Sequence, residues 1–447
     1  MNAQDRERLE GGEETRYKLS LSSQVDNKPG WNEISLPQPR NVALIFDYSS
    51  DLRRYQVRAT GLLFGVEIFS GILPKSREDL IAAVGHCLDI WERKVTYRQD
   101  VSGANRFTLR WDFSAPEDKT FLDEVWLDLA RAGEDLSGVL FSGDDEGLNE
   151  IRERLFTAIA APRDLSDPMR VTIHSDDLFA PWWMLYTQPH GGPSLHGDRS
   201  GYLLEGFWGY KHLIEHQTKR SPHATNVTKV AGRRVRTGLN VDPRIDTQYQ
   251  IPFVVPVTTF LKAKVTRVTR ELKEDLNTDI RAGKFTDEIT YFGCHGGVPT
   301  EGAPYLLLKD DNPITAADID SWLPDPACLP TKPVVFINAC QGGKMSSLFF
   351  GTLGRKMLAK GANCVIGPQV DIPIRFAAEY ATRLFDRFLN PGQRLGEVVL
   401  ELTREFANRH RNPLGLTYSL YRGIDIYLAR NDGTLAASKR KTRQGSD

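Results

Sequence analysis

Two short segments in the second half of the chain end in side chains that could carry out nucleophilic chemistry. Residues 287–297 read D-E-I-T-Y-F-G-C-H-G-G, and residues 332–343 read K-P-V-V-F-I-N-A-C-Q-G-G. Each is an apolar run that stops at a reactive side chain before glycine, His295 in the first and Cys340 in the second. Two buried parallel strands would bring both side chains to the same carboxyl edge of a sheet, where open α/β proteins place their active sites. The pair predicts a cysteine nucleophile with a histidine base.

Each segment alone has an ordinary structural explanation. A histidine at a strand end is commonly a capped or solvated residue, and a cysteine before glycine can form a tight turn between a strand and a helix. It is the pair, in this order and 45 residues apart (340 − 295), that indicates a site. We expect Cys294 to point to the opposite face of the sheet. The remaining cysteines, as small buried side chains, are expected in the core: Cys87, Cys328 and Cys364.

Two features could activate the thiol of Cys340. His295 can act as a base and later as an acid toward the leaving amine. A helix predicted to begin near Met345 can direct its positive end toward Cys340, which favours the thiolate. Gly296 beside the histidine, and the two glycines at 342 and 343, leave backbone N–H groups uncovered near the reactive side chains.

The two segments also resemble a known family signature. The caspase signature is Q-A-C-[RQG]-G with a histidine about 50 residues upstream, and residues 338–342, N-A-C-Q-G, match it at four of five positions. Residues 178–186 (L-F-A-P-W-W-M-L-Y) are similar to the Pro-Trp-Glu-x-Leu-Tyr segment of CHAT-domain proteins, with Trp183 in place of the glutamate. Residues 353–367 and the segments at 412–413 and 421–423 resemble later parts of that family. The chain thus resembles the CHAT branch of the caspase-like (clan CD) cysteine peptidases, which includes relatives of separase, over roughly residues 118–430.

The resemblance implies roles for residues around the two reactive side chains. In caspase-like enzymes the oxyanion is held by the backbone N–H groups of the nucleophile and of the glycine after the histidine, which are Cys340 and Gly296 here. An aspartate two residues before the cysteine often lines the S1 pocket of families that cleave after arginine or lysine. That position is Asn338 here, so we expect Asn338 to line the substrate pocket and the P1 residue to be uncharged. Asp371, after the following strand, could restore basic specificity.

Composition narrows the class of protein. The chain has 447 residues with 40% hydrophobic and 26% charged side chains, which is typical of a globular protein. Its formal net charge of −1 gives no overall positive potential that would attract nucleic acid or an anionic membrane. No apolar run reaches the roughly 18 residues that span a bilayer, and the first residues lack the apolar core of a signal peptide. Five scattered cysteines without a Cys-x-x-Cys pair fit a reducing cytoplasm rather than a disulfide framework or a metal site. We expect no cofactor and no metal.

The order of patterns along the chain predicts four regions. A polar arm, either disordered or loosely packed, is expected over residues 1–38, and a small α+β domain of unknown role over 39–117. An α/β domain with a caspase-like, mostly parallel sheet flanked by helices covers 118–430, and a basic tail covers 431–447. In the second region a capping-box pattern opens a helix over Ser76–Arg93. A chain of this length exceeds one ordinary core, which favours either two domains or one enlarged domain.

Two basic stretches stand outside these motifs. One lies at residues 219–236 and the other at 439–443. Neither interleaves aromatic residues with its charges, as surfaces that bind single strands do. Solvated loops are the simpler interpretation, and contact with nucleic acid or an acidic partner is the alternative.

The leading functional hypothesis is a cysteine endopeptidase that cleaves one dedicated protein and is activated on cue. The resemblance implies a prokaryotic defence or cell-death setting, with a gasdermin-like or neighbouring effector protein as substrate and a possible activating partner at the N-terminal region. A catalytically inactive scaffold with the same fold is the alternative, and an acyltransferase or hydrolase acting on another carbonyl is a weaker one. Membrane and nucleic-acid partners are not expected.

Overall fold

A computed structural model describes residues 38–96, 98–99, 105–106, 119–189, 192, 194–196, 201–218, 225–297, 303–339 and 350–430. These residues belong to one compact unit. Several predicted features fall wholly or almost wholly outside the described residues: the arm at 1–38, Cys340 with the start of the helix after it, and the basic tail. The alternating pattern of residues 107–113 also predicts a strand, which lies outside them too.

Helices and strands alternate along most of the described chain. The α-helices are α1 Arg77–Trp91, α2 Lys119–Phe141, α3 Glu146–Ala160, α4 Trp208–Lys211, α5 Arg244–Gln248, α6 Val254–Lys264, α7 Lys273–Arg281, α8 Ala316–Trp322, α9 Arg355–Ala359, α10 Ile374–Phe388 and α11 Leu395–His410. The strands are β1 Val42–Ser49, β2 Arg54–Thr60, β3 Phe69–Leu73, β4 Arg98–Gln99, β5 Asn105–Arg106, β6 Arg170–His174, β7 Leu213–Gln217, β8 Val227–Val230, β9 Arg236–Val241, β10 Thr266–Arg270, β11 Ile289–Gly293, β12 His295–Gly297, β13 Tyr305–Leu307, β14 Pro313–Thr315, β15 Val334–Ile337, β16 Cys364–Pro368, β17 Tyr418–Tyr421 and β18 Tyr427–Arg430.

Eleven of these strands form one large mixed sheet, in the order β10-β9-β11-β15-β16-β17-β7-β6-β1-β2-β3. Neighbouring strands are parallel from β10 to β16 and again from β17 to β1. Only the pairs β16–β17, β1–β2 and β2–β3 are antiparallel. The predicted α/β fold with a mostly parallel sheet flanked by helices is therefore confirmed.

The N-terminal strands are part of this sheet rather than of a separate domain. β1 lies parallel to β6, pairing Val42 with Val171 and Ile45 with His174. The chain therefore has no boundary between compact units near residue 118, in contrast to the predicted separate domain over 39–117. The physical reason is that β6 offers an unpaired edge of backbone N–H and C=O groups, and β1 satisfies it.

The strands that lead to the predicted site are buried on both faces. Every residue of β11 and of β15 is buried, which explains why their sequences are continuous apolar runs without alternation. On one face, the Tyr291 ring packs edge to face against Phe385, and the Phe336 ring packs against Phe385 at a tilt. These rings belong to a core shared with α6 and α10. On the other face, Phe292 and Ile337 pack in a smaller core under α7, α8 and α9.

The local signals for α1 are confirmed. Ser76 accepts a hydrogen bond from the backbone N–H of Asp79, and the Asp79 side chain accepts one from the backbone of Ser76, which completes the capping box. Leu80, Val84, Leu88 and Trp91 are buried along one face. Ile81, which fits the same helical pattern, is 55% exposed.

Three elements differ from the sequence predictions. The sequence of residues 263–268 predicts a strand there, but β10 begins only at Thr266, because α6 extends to Lys264. β7, which lies in the middle of the sheet, was not predicted at all. The sequence of residues 422–428 predicts a closing edge strand. The structure instead has β17, which lies inside the sheet, and β18, which pairs with β8 in a separate two-stranded sheet.

Candidate active site

The strands that carry the histidine and cysteine segments are parallel neighbours. β11 pairs with β15 from Ile289 with Val334 to Phe292 with Ile337. Directly beyond this ladder, the backbone N–H of Asn338 donates to the carbonyl of Phe292 at 2.8 Å. The predicted strand arrangement is therefore confirmed, and both segments leave the sheet at the same carboxyl edge. Cys340 follows Asn338 by two positions and lies outside the described residues.

His295 and Gly296 begin a small antiparallel sheet that stands at this edge. In β12, His295 pairs with Leu307 and Gly296 with Leu306 of β13, and β13 pairs in turn with β14. His295 is half-buried, whereas Gly296 is buried. The hairpin partner fixes the backbone of both residues, so the imidazole is held on a strand rather than on a free loop.

Residues after β9 lie near His295 and near the small sheet that carries it, and their sequence pattern was not singled out above. The ring of Tyr249, just past α5, lies edge to face with the imidazole at a centroid distance of 6.1 Å. Arg244 binds Asp242 at 2.8 Å and Asp311, in the β13–β14 turn, at 2.7 Å. The hydrogen bond from Arg244, with a smaller electrostatic contribution from His295, holds the pKa of Asp311 below its usual value.

We call the ion pairs of Arg244 with Asp242 and Asp311 the Arg244 clamp. The clamp joins the end of β9 to the β13–β14 turn. Asp242 directly follows β9, is fully buried, and donates its backbone N–H to the carbonyl of Gly293, two positions before His295. Arg244 also donates to the carbonyl of Leu308 at 3.2 Å. A polar run directly after a predicted strand is the sequence signal that could have pointed to Asp242 and Arg244, since strand ends at this edge collect functional side chains.

Asn338 is part of the core. Its side chain is fully buried and donates to the Tyr291 hydroxyl at 3.1 Å and to the carbonyl of Ala377 at 2.9 Å. Its oxygen accepts a hydrogen bond from the Tyr418 hydroxyl at 2.7 Å. Both amide donors are used inside the protein, so Asn338 has no donor left for a substrate, and the expected role in the substrate pocket is not supported.

The described cysteines behave largely as core residues. Cys87, Cys294 and Cys364 are buried, and burial raises the pKa of each thiol, that of Cys87 to about 12. Cys328 differs from the prediction because it is only partly buried. At neutral pH the three buried thiols are therefore protonated and shielded.

Trp183, at the place of the family's glutamate, is also a core residue. Its side chain is buried, and its ring lies 6.4 Å from that of Tyr421. A Cβ added at Gly209 would lie 2.8 Å from the Trp183 carbonyl oxygen and Cβ, so this part of the core is closely packed. An indole there supplies packing and no carboxylate. Asp371 is buried just beyond the end of β16.

The described residues offer neither a metal site nor a membrane span. Among them, no group of three or more histidine, cysteine, aspartate or glutamate side chains could hold a metal ion. No helix in the described ranges is both long enough and apolar enough to cross a membrane.

Comparisons with known proteins match the part of the chain that contains this candidate site. Residues 246–412 match the family model of the CHAT domain. A protein described as a probable protease, from Vitiosangium sp., is 33% identical over 165 residues, which cover 33% of this chain and 20% of that protein. The chain thus spans about a fifth of the length of the curated relative it matches.

Two solved structures of the Saccharomyces cerevisiae separase–securin complex are also similar. The one at 2.6 Å resolution aligns with a TM-score of 0.41 and 11% identity over 87% of this chain and 30% of that chain. The one at 3.0 Å resolution aligns with a TM-score of 0.40 and 10% identity, over 86% of this chain and 30% of that chain.

Proposed function

Because residues 246–412 match the family model of the CHAT domain, we propose that the chain is a cysteine endopeptidase in which Cys340 is the nucleophile and His295 is the base. The observation that carries the proposal is the hydrogen bond between Asn338 and Phe292 at the end of the β11–β15 ladder. His295 follows Phe292 by three positions and Cys340 follows Asn338 by two. The two segments that carry these residues therefore leave adjacent strands at the edge where α/β proteins bind their substrates.

The proposed reaction proceeds in two steps. The thiol proton of Cys340 passes to His295, and the thiolate sulfur forms a bond to the scissile carbonyl carbon. The oxyanion accepts hydrogen bonds from the backbone N–H groups of Gly296 and Cys340. The C–N bond breaks as His295 gives its proton to the leaving amine, and water activated by His295 then hydrolyses the thioester and restores the thiol.

The surroundings of His295 support its role as a base. The β12–β13 pairing fixes its backbone, and the Tyr249 ring restricts one side of the imidazole. The ion pairs of Arg244 with Asp242 and Asp311 hold the β13–β14 turn, on the small sheet that carries His295, against the end of β9.

We further propose that the enzyme acts on one dedicated protein substrate after activation by a partner, in a prokaryotic defence or cell-death pathway. The match to a probable protease supports the proteolytic part. The described cysteines are free thiols, which fits a reducing compartment such as the cytoplasm.

Site-mapped alkylation tests the dyad without a known substrate. Native protein at pH 7 is treated with iodoacetamide, and the rate at each cysteine is measured by mass spectrometry. We expect Cys340 to react at least about tenfold faster than Cys328, and the buried cysteines to react only after unfolding. In His295→Ala, we expect the alkylation rate of Cys340 to fall toward that of Cys328. His196, whose exposed ring pairs with Asp135, provides the control, and His196→Ala should leave the alkylation rate of Cys340 unchanged.

An inactive scaffold predicts a different result. Its Cys340 would react no faster than Cys328, and His295→Ala would not change the rate. Proteome-wide mapping of new N-termini then tests proteolysis, with Cys340→Ala and His295→Ala each expected to lose more than about 90% of cleavage. Cleavage that persists in either variant removes that residue from the dyad.

A further inference from the structure

Exposed cationic side chains lie at the amino ends of the neighbouring strands β10, β9, β11 and β15. This is the edge of the sheet opposite His295. Arg234 precedes β9, Lys262 and Arg267 flank the start of β10, and Lys284 precedes β11; all four are exposed. Lys229 joins them from β8, where Thr228 contacts the carbonyl of Lys332 at the start of β15. Since neighbouring strands are about 4.8 Å apart, the row from β10 to β15 extends over about 15 Å. We refer to these five residues, Lys229, Arg234, Lys262, Arg267 and Lys284, as the cationic edge.

The most basic loop of this edge is held in a fixed position. The carboxylate of Glu288, only 2% exposed, accepts a hydrogen bond from the backbone N–H of Ala231 at 2.6 Å and from that of Arg236 at 2.7 Å. Both ends of the loop at residues 231–236 are therefore anchored by one buried side chain, and Arg234 projects from a pre-ordered backbone.

The five charges are not neutralised within the described part of the chain. Basic residues near the same edge have acidic partners: Lys264 pairs with Asp386 and Lys360 pairs with Asp325. None of the cationic-edge side chains forms an ion pair among the described residues. The whole chain has a formal net charge of −1, so this edge concentrates positive charge that the composition as a whole does not show.

Within the described ranges, the cationic edge has no exposed apolar anchor of the kind that centres a protein interface. Of the large apolar side chains that the described residues leave exposed, Val255 and Leu272 are the nearest in sequence. Val255 lies at the far end of α6, and Leu272 lies beyond the carboxyl end of β10. Interfaces with folded proteins are normally centred on aromatic or apolar anchors, whereas phosphate backbones are bound by rows of lysine and arginine.

We propose that the cationic edge binds nucleic acid through its phosphate backbone, without reading its sequence. The inference is independent of the proposed protease activity, because no residue of the cationic edge belongs to the site. The length of β11, about 16 Å for its five residues, separates this edge from His295. A bound nucleic acid would therefore leave the carboxyl edge open to a substrate.

Fluorescence anisotropy with a labelled single-stranded RNA of mixed sequence, about 20 nucleotides long, tests the proposal on the full chain. We expect a Kd on the order of 10⁻⁵ M at low salt that weakens steeply as salt is added. The triple variant Arg234→Glu, Arg267→Glu and Lys284→Glu should bind at least tenfold more weakly, and its slope of log affinity against log salt should fall by about 2. The basic tail is unchanged in this variant and provides the background.

A matched control separates location from net charge. Arg53→Glu, Lys75→Glu and Arg93→Glu reverse three exposed charges near β1, β2 and α1, of which Arg93 has an exposed partner in Asp89, and this variant should retain wild-type affinity. Thermal melts establish that both variants are folded. Equal binding by wild type and the cationic-edge variant, or equal loss in the control, overturns the proposal. A polyglutamate peptide of equal charge that binds as tightly as the RNA overturns the assignment to nucleic acid in favour of an acidic protein.

Discussion

At the scale of single residues, Asn338 connects the cysteine strand to three other elements. Its amide bonds to Tyr291 of β11, Ala377 of α10 and Tyr418 of β17. Tyr418 in turn stacks on Tyr380 of α10 at a centroid distance of 3.6 Å. A neutral side chain with two donors and an acceptor matches this environment, so Asn338 positions the strand that precedes Cys340.

We predict that Asn338→Asp destabilises the protein instead of creating a basic-specific pocket. A carboxylate cannot donate to the carbonyl of Ala377 and would be buried without a cation, which lowers the free energy of unfolding by about 3 kcal/mol. Urea denaturation measures the change, and Asn390→Asp at an exposed site should stay within about 0.5 kcal/mol of wild type. Unchanged stability with new cleavage after arginine or lysine would restore Asn338 to the substrate pocket.

His216 of β7 is a second buried residue whose chemistry depends on its surroundings. It accepts a hydrogen bond from the Trp182 indole at 3.1 Å and is 2.9 Å from the carbonyl of Ser175, and its ring stacks on Phe179 at 4.6 Å. Burial lowers the pKa of His216 to about 4, although its hydrogen bond to Ser175 opposes the shift. The folded protein therefore favours the neutral form of the His216 imidazole.

This pKa predicts a loss of stability on mild acidification. The unfolded chain takes up a proton near pH 6.5 and the folded chain only near pH 4, so the stability contributed by the neutral ring declines as pH falls through this window. Between pH 7 and pH 5 the loss from His216 is about 2 kcal/mol. Urea titrations at both pH values should show a smaller pH dependence for His216→Gln, and equal dependence in the two proteins would contradict the assignment.

At the scale of elements, a buried ionic network connects the N-terminal strands to the end of the described chain. Arg40, just before β1, bonds to Glu215 of β7 at 2.8 Å and to Asp425. Glu215 also accepts hydrogen bonds from Thr172 of β6 at 2.8 Å and from the backbone N–H of Gly423 at 2.6 Å. Burial alone would raise the pKa of Glu215, but Arg40 and these hydrogen bonds outweigh burial and keep the pKa below its usual value.

We predict that Arg40→Met lowers the free energy of unfolding by about 3 kcal/mol, because it leaves a buried carboxylate without its cation. The double variant Arg40→Met, Glu215→Gln should recover part of this loss, since neither charge then remains. Arg154→Met removes the exposed pair with Glu150 and should change stability by less than about 1 kcal/mol. Denaturant titrations at pH 7 measure these three variants and the single variant Glu215→Gln, and a loss in the double variant equal to the sum of the two single losses would show that the two residues are not coupled.

At the scale of the whole molecule, one sheet runs from β10 beside the site to β3 at the far edge. Val42, Leu44 and Phe46 of β1 belong to the same core as Tyr291 and Phe336 of the central strands. The N-terminal strands are thus a structural part of the body that positions the site.

This arrangement predicts that the region 118–430 does not fold stably by itself. A truncated chain that begins at Thr120 loses β1, the Arg40 contacts and the partner of the β6 edge, and we expect it to aggregate or to melt at least about 10 °C below the full chain. Far-ultraviolet circular dichroism during heating measures the difference. A soluble fragment with the melting temperature of the full chain would instead establish an independent domain.

The sequence by itself determined the features that depend on local patterns. Continuous apolar runs predicted β11 and β15 and their parallel arrangement, and Ser76 with Asp79 predicted the start of α1. His295 at the carboxyl edge follows from where its strand ends. These features could be read because hydrophobic periodicity and capping act over a few residues.

Only the tertiary structure decided the features that join distant segments. Strand pairing is set by backbone edges far apart in sequence, so the union of β1 with β6 and the place of β17 inside the sheet left no local signal. The direction of the Asn338 side chain depends on Tyr418, and the neighbours of His295 come from the ends of β9 and β13, which meet only when the sheet is assembled. For the same reason, charges spread over four segments become one cationic edge only in the folded chain.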